Sequence, residues 1–250
     1  KFPEIAGWLY TEHHDVINEW NGYWKFDRSE KFTGIPEIFE GMKLNDFHSS
    51  IYLSTGGEIC QTVQSGEKVK VPLFISSMTS KNLGNELTVE YELSHVNGLA
   101  EESLLKSSQF NIEYEPWTQR ALSPLNLRMA NCSGLSKLTF TVRTGRGKVL
   151  HRNFMHFEVI SDSKKKFQGK EVISMAAKSF SNSNWSTKSW EVFDGKKVNG
   201  TGSGFFEYEI EIPEKIKKQN YNKVYFIIEV SAKELFEKDK DITGYVDPGL

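Results

Sequence analysis

"NELTVEYELSH", residues 85–95, decides the fold. Leu87, Val89, Tyr91 and Leu93 alternate with Thr88, Glu90 and Glu92. In an extended chain that alternation puts every apolar side chain on one face and every polar one on the other. A strand with one dry face needs a second layer to cover it, so this stretch predicts a sheet packed on another sheet.

Working outward, the same signal recurs. "VKVPLFISS" alternates Val69, Val71, Leu73 and Ile75, and Pro72 within it predicts an edge strand or a bulge. "SSIYLST" runs into Gly56-Gly57, and Asn97-Gly98 turns the chain after the 85–95 strand. "LLKSSQFNIEYE", "SPLNLRMA", "KLTFTVRTG" and "VLHRNFMHFEVI" follow, the last two joined through Gly145-Arg146-Gly147. Seven short strands between Asp46 and Ser161 predict an immunoglobulin-like, mainly β sandwich. The Cys-Trp-Cys spacing of antibody domains is absent, so only the architecture is read from the pattern.

Residues 162–250 open on a charged connector, "SDSKKKFQGK". Phe206, Tyr208, Ile210 and Ile212 then alternate with Glu207, Glu209 and Glu211. "KVYFIIEVSA" is apolar at nearly every position from Val224 to Val230, which predicts a central strand covered on both sides. Together these predict a second sandwich of jelly-roll type, incomplete at "DITGYVDPGL".

Residues 1–45 differ. "IAGWLY" reads as a buried strand, and "TGIPEIFEGM" as a helix over Pro36–Lys43 with Pro36 in its first turn, Glu37 on its dipole and Ile38, Phe39 and Met42 on one face. One strand and one helix cannot bury each other, and about 45 residues rarely build a core alone. This region is expected to pack on the first sandwich, on a second copy of the chain or on a barrel segment supplied separately. Lys1-Phe2-Pro3 is followed at once by Glu4, so the natural N-terminus and its address are expected to lie outside this chain.

The 250 residues carry 33 acidic and 31 basic side chains, a net charge of -2 that gives no reason to expect nucleic acid. No apolar run reaches the roughly 20 residues of a membrane helix. Aromatics make up 13%, a share that suits sandwich cores and sugar platforms alike. Cys60 and Cys132 are too few for a disulfide framework or a zinc site, and two separate buried thiols are expected.

Chemistry is sparse. Glu12, Asp15 and Glu19 lie beside His13 and His14, but adjacent histidines diverge and do not favour one metal. Polar residues on a loop rim is the favoured reading of them. Gly200-Thr201-Gly202-Ser203-Gly204 lacks the Lys and helix of a phosphate loop and reads as a turn. Trp185 and Trp190 flank "STKS" and either stack on sugar or fill the second sandwich. No catalytic residue, metal ligand or cofactor motif stands out.

"GWLYTEHHDVINEWNGYWKFDR", residues 7–28, resembles the last strand and following loop of the catalytic barrel in glycoside hydrolase family 2, which includes β-galactosidases, β-glucuronidases and β-mannosidases. The resemblance is carried by Gly7, Tyr10, Thr11, Asp15, Glu19, Asn21, Gly22, Asp27 and Arg28. It implies a TIM-barrel remnant over residues 1–45, an immunoglobulin-like sandwich over 46–161 and a galactose-binding-like jelly roll over 162–250. It also implies a retaining hydrolase whose two catalytic Glu residues stand on earlier barrel strands, beyond this chain. Glu12 and Glu19 do not match those positions. Tyr10, Thr11 and Glu12 are expected on the active-site rim, at the C-terminal end of a barrel strand. Carbohydrate is the implied partner, and a periplasmic or extracellular location is favoured. A free-standing carbohydrate-binding or protein-interaction module remains the alternative.

Overall fold

The computed structural model describes residues 9–17, 19–161 and 170–231. It divides into two compact units, Lys1–Ser163 and Lys164–Leu250.

The first unit is a β-sandwich of eight strands: β1 (Ile51–Ser54), β2 (Cys60–Gln64), β3 (Lys68–Ser77), β4 (Glu86–Asn97), β5 (Glu102–Glu113), β6 (Gln119–Arg128), β7 (Gly134–Thr144) and β8 (Val149–Ile160). One sheet has the order β1-β3-β6, the other β2-β8-β7-β4-β5. All pairings are antiparallel except β2 with β8. The 85–95 alternation behaves as its chemistry demands: Leu87, Val89, Tyr91 and Leu93 are buried, facing Ile51, Leu53, Val71, Leu73 and Ile75 of the other sheet in one core. Phe140 and Phe157 complete the centre of that core from β7 and β8. The β3–β6 register shifts between Val71 and Leu73, which places a bulge at Pro72, where the ring has no N–H to give the ladder. At Asn97 the side-chain carbonyl accepts from the N–H groups of Leu99 and Glu101 and closes the β4–β5 turn.

Residues 34–49 strap onto this sandwich. Asp46, buried, is the anchor: one carboxylate oxygen accepts from the Lys43 N–H at the start of α2 (Leu44–Phe47) and the other from the Arg152 N–H in β8. Lys137 Nζ donates to the Ile38 carbonyl and Ser49 Oγ to that of Leu150. The helix expected over Pro36–Lys43 is a single turn, α1 (Ile35–Ile38). Phe39 is extended and Gly41 left-handed, so the chain turns away to bury Met42 instead of continuing the helix. Of the strand expected over Ile5–Tyr10, only Leu9 and Tyr10 lie among the described residues, and they belong to a loop. The described residues form no barrel.

In the second unit β9 (Asn182–Trp185) pairs with β12 (Gly204–Glu207), and β10 (Lys188–Val192) with β11 (Lys197–Thr201), all antiparallel. The ribbons nest as one long hairpin, followed by the single turn α3 (Glu214–Lys217). Phe180, Trp185, Phe206 and Tyr208 pack into a small aromatic cluster. Two expectations need correction. The strand through Phe206 stops at Glu207, leaving Ile210 and Ile212 outside it and exposed. Val224–Val230 forms no strand: Val224, Phe226 and Val230 are at least 75% exposed. Hydrophobic composition favours a central strand only when strands exist to flank it, and the described residues of this unit supply none. "SDSKKKFQGK" and "DITGYVDPGL" fall largely or wholly outside the described residues.

Neither cysteine is bridged, but neither is buried as expected: Cys60 is exposed because it opens the edge strand β2, and Cys132, in the bend between β6 and β7, is half-buried.

Candidate functional site

Residues 9–17 and 19–34 contain little regular structure and are tied together by polar contacts. Asp15 is buried and is the hub. Its Oδ1 accepts from the Gly22 N–H at 3.0 Å and from Lys31 Nζ at 2.6 Å. Lys31 spends its other two protons on the Trp20 and Gly22 carbonyls, at 2.6 and 3.0 Å. One ammonium and one carboxylate therefore fasten both sides of the Asn21-Gly22 turn. The Asp15 N–H donates to the Trp24 carbonyl and pins the two limbs of the loop together. Gly22 has no substitute: a Cβ there would sit 2.2 Å from the His14 carbonyl carbon.

Around this hub motif residues bond to each other or to their near neighbours. Tyr10 Oη donates to the Asn21 carbonyl at 2.5 Å, and Asn21 Nδ2 to the Thr11 carbonyl at 3.2 Å. Arg28 Nη2 meets His14 Nε2 at 3.3 Å. Asp27 accepts from the N–H and hydroxyl of Ser29, which holds its carboxyl below the usual range. Seven of the motif residues are thus tied into one loop or its hairpin end.

The loop forms one wall of an open cleft of about 790 Å³. Leu9, Tyr10, His13 and Tyr23 come from the loop; Phe47, His48, Ser49 and Tyr52 come from the stretch that runs from the end of α2 into β1. Tyr10 and Tyr23 stack with ring centroids 4.4 Å apart and planes 2° from parallel. His48 stands edge-on to Tyr23, its Nε2 3.0 Å from the Tyr23 hydroxyl. Removal from water raises the Tyr23 and Tyr52 hydroxyls above their ordinary pKa, so both remain protonated; Tyr10 beside Tyr23 adds to the first shift, and a contact to Asn153 partly offsets the second. The cleft is open to solvent, and ring faces with a few polar groups line it.

Of the rim residues expected from sequence, Tyr10 lines this cleft, Thr11 contributes its carbonyl to the loop network, and Glu12 is half-buried. Burial first, and the Glu19 carboxylate beside it second, raise the Glu12 pKa. Its Oε2 is shielded from solvent without a hydrogen-bond partner. No group of three or more His, Cys, Asp or Glu among the described residues is placed to hold a metal. In the second unit Trp185 lies flush against backbone, since a Cβ at Gly200 would sit 2.0 Å from its ring, and Phe206 packs on it at 5.2 Å. Trp190 lies on the neighbouring ribbon with the Lys188 ammonium 4.8 Å from its centroid.

Sequence reading missed Tyr23, Phe47, His48 and Tyr52 as site residues. They lie on both sides of the point where the loop region ends and the strands begin, and no periodicity links the two. Lys31 was missed because it stands outside the motif, sixteen positions from the carboxylate it neutralises.

No family model and no curated protein matches the chain. Among solved structures it is similar to the CARDB domain of the PF1109 protein from Pyrococcus furiosus, in complex with di-metal ions, at 13% identity and a TM-score of 0.29 over 41% of this chain and 86% of that one. It is also similar to the alkylpurine DNA glycosylase AlkC of Pseudomonas fluorescens bound to DNA containing an abasic site analogue, at 13% identity and a TM-score of 0.30 over 45% and 31%. No described helix is long and apolar enough to cross a membrane.

Proposed function

We propose that the chain is the C-terminal accessory region of a retaining family 2 glycoside hydrolase acting on β-linked sugars, that it binds carbohydrate in the Tyr10–Tyr52 cleft, and that by itself it performs no hydrolysis. One observation supports the reading most: seven of the residues that carry the resemblance to that family, Tyr10, Thr11, Asp15, Asn21, Gly22, Asp27 and Arg28, are hydrogen-bonded within one loop, and that loop walls an aromatic cleft. Aromatic faces suit the C–H faces of sugar rings, and the hydroxyl and imidazole groups between them suit sugar hydroxyls. The strand order of the sandwich, with β2 parallel to β8 at one edge, supports an immunoglobulin-like assignment. For the second unit the galactose-binding-like reading rests on its aromatic hairpin alone.

Inactivity follows from the carboxylates. A retaining enzyme needs two, roughly 5 Å apart across one glycosidic bond, one as nucleophile and one as acid. Glu12 and Glu19 neighbour each other but neither lines the cleft. The purified chain is expected to leave p-nitrophenyl β-glycosides intact while binding β-glycosides, with NMR perturbations at Tyr10, Tyr23 and Tyr52. Turnover abolished by Glu12→Ala would overturn the first half, and a chain that binds no β-glycoside would overturn the second.

A further inference from the structure

Where β6 turns into β7, the sandwich gathers a thiol, an imidazole and a hydroxyl. His95 of β4 is 2% exposed and lies in the ladder between Ser103 of β5 and Ser136 of β7. Its Nδ1 is 2.9 Å from Ser136 Oγ, which is fully buried. Its Nε2 is 3.5 Å from Cys132 Sγ, within reach of a hydrogen bond to sulfur. Gly134 lets the ring sit there, since a Cβ at that position would come 2.9 Å from its Cε1 and Nε2. Cys132 is half-buried in the bend that leads into β7. The two ring nitrogens thus meet one hydroxyl and one thiol, and close packing holds the ring between them. Burial keeps the His95 pKa below its ordinary value, and the Ser133 backbone offsets part of the shift by favouring the charged ring. The imidazole is therefore neutral near pH 7, the form that takes up a proton.

We propose that Cys132 is a nucleophilic thiol with His95 as its general base and Ser136 as the positioning residue, and that the site reacts with a low-molecular-weight disulfide to form a mixed disulfide. The inference goes beyond the carbohydrate reading and does not depend on it. A thiol and a base within hydrogen-bond reach, with the base oriented by a third group, is the arrangement of an activated nucleophile. Ser136 Oγ accepts from Nδ1–H, which leaves the Nε2 lone pair to the thiol. The S–H proton of Cys132 passes to Nε2. The thiolate then attacks one sulfur of an R–S–S–R molecule: the Sγ–S bond forms, the S–S bond breaks, and the departing thiolate recovers the proton from the imidazolium as R–SH. Cys132 is oxidised and the departing half of the reagent is reduced, so the step needs no further oxidant. A bare thiol has to wait for the small thiolate fraction present at neutral pH.

The test uses the full chain carrying Cys60→Ser, which leaves Cys132 as its one thiol, and dithiodipyridine as the disulfide. Release of thiopyridone is followed by absorbance. The same chain unfolded in urea gives the rate of an unassisted thiol. At pH about 6.5 the folded chain is expected to react at least about tenfold faster than the unfolded one. Its rate should stay level from pH about 8 to about 6.5, while that of a thiol with the ordinary pKa of about 8.5 falls roughly twentyfold. His95→Gln is expected to give the folded chain the pH dependence of the unfolded one. Ser136→Ala should slow the reaction about threefold to tenfold, the worth of one hydrogen bond, and leave the profile level. Far-UV circular dichroism checks that both variants fold. A folded rate at or below the unfolded rate, or the same twentyfold fall with pH, would overturn the proposal without recourse to either variant. An unchanged rate and profile in folded His95→Gln would overturn it as well.

Discussion

Two stretches of this protein carry the same pattern and meet different fates. In residues 85–95 Leu87, Val89, Tyr91 and Leu93 alternate with polar side chains, and all four are buried. In residues 205–213 Phe206, Tyr208, Ile210 and Ile212 alternate with glutamates, and Ile210 and Ile212 are 44% and 46% exposed. The difference is the company each keeps. β4 lies between β5 and β7 and under a second sheet, so each apolar side chain has a partner on the opposite layer. The second stretch has one short partner strand, β9, which ends before Tyr208. Alternation specifies which face would be dry; it does not specify that anything covers it.

The largest expected effect tests the buried half of that comparison. Phe140 is 1% exposed at the centre of the sandwich. Phe140→Ala is expected to lower the stability of the first unit by about 3–5 kcal/mol, a large part of the roughly 5–15 kcal/mol a domain has to lose. Urea denaturation followed by tryptophan fluorescence and circular dichroism would check it. A loss under about 1 kcal/mol would mean the two sheets are not packed as described.

The loop of residues 9–34 offers a third kind of order, neither sandwich nor open strand, held by one ion pair and its hydrogen bonds. Lys31→Met strands the buried Asp15 carboxylate. Breaking a fully buried pair costs about 3–5 kcal/mol; here about 2 kcal/mol is expected, because the ammonium keeps some contact with water. The loss should be local. Amide exchange at Asp15 and Gly22 should accelerate while the urea midpoint of the sandwich stays put. A falling midpoint would show that the loop and the sandwich unfold as one.

Three histidines of the sandwich add a pH dependence, whereas the sequence of the second unit contains no histidine. Burial lowers the pKa of His95, His151 and His156, and for His156 the Lys137 ammonium adds to it. In the unfolded chain they titrate near 6.5. Below that value the unfolded chain takes up protons that the folded chain refuses, so stability is full above about pH 6.5 and falls as the pH drops through it. Each fully refused proton is worth up to about 1.4 kcal/mol per pH unit, and less for His156, which is only half-buried. Urea midpoints at pH 7.5 and 5.5 would show the loss, and His151→Gln should shrink it. A midpoint that rises on acidification would reverse the sign assigned to these groups.

What could be read in advance follows the same division. Pro72, Asn97-Gly98 and Gly145–Gly147 mark a bulge and two turns because local geometry dictates them. The motif residues were legible as a group, but not their roles: nothing in "NGYWKFDRSEK" says that Lys31 reaches back to Asp15 or that Tyr23 stacks on Tyr10. The cleft was illegible because half of it, Phe47 to Tyr52, comes from residues whose sequence signal is strand and turn. Val224–Val230 misled because its composition reports what the segment would do between two strands.

The smallest expected effect falls on the open half of the comparison. Ile212 is 46% exposed and stands outside every strand, so Ile212→Ser removes no packed contact. Surface substitutions of this kind stay within about 0.5 kcal/mol. The same change at Leu93, 0% exposed and on an equally alternating stretch, deletes a buried side chain and leaves a polar hydroxyl in the core, which costs several times more. Thermal unfolding of the two single variants against the parent measures the ratio directly. If Ile212→Ser costs as much as Leu93→Ser, then Ile212 is covered in solution, and the alternation from Phe206 to Ile212 specifies a packed strand there as it does in β4. If Ile212→Ser is neutral, the pattern alone has no energetic content, and the buried area supplied by neighbouring strands accounts for the whole difference between the two stretches.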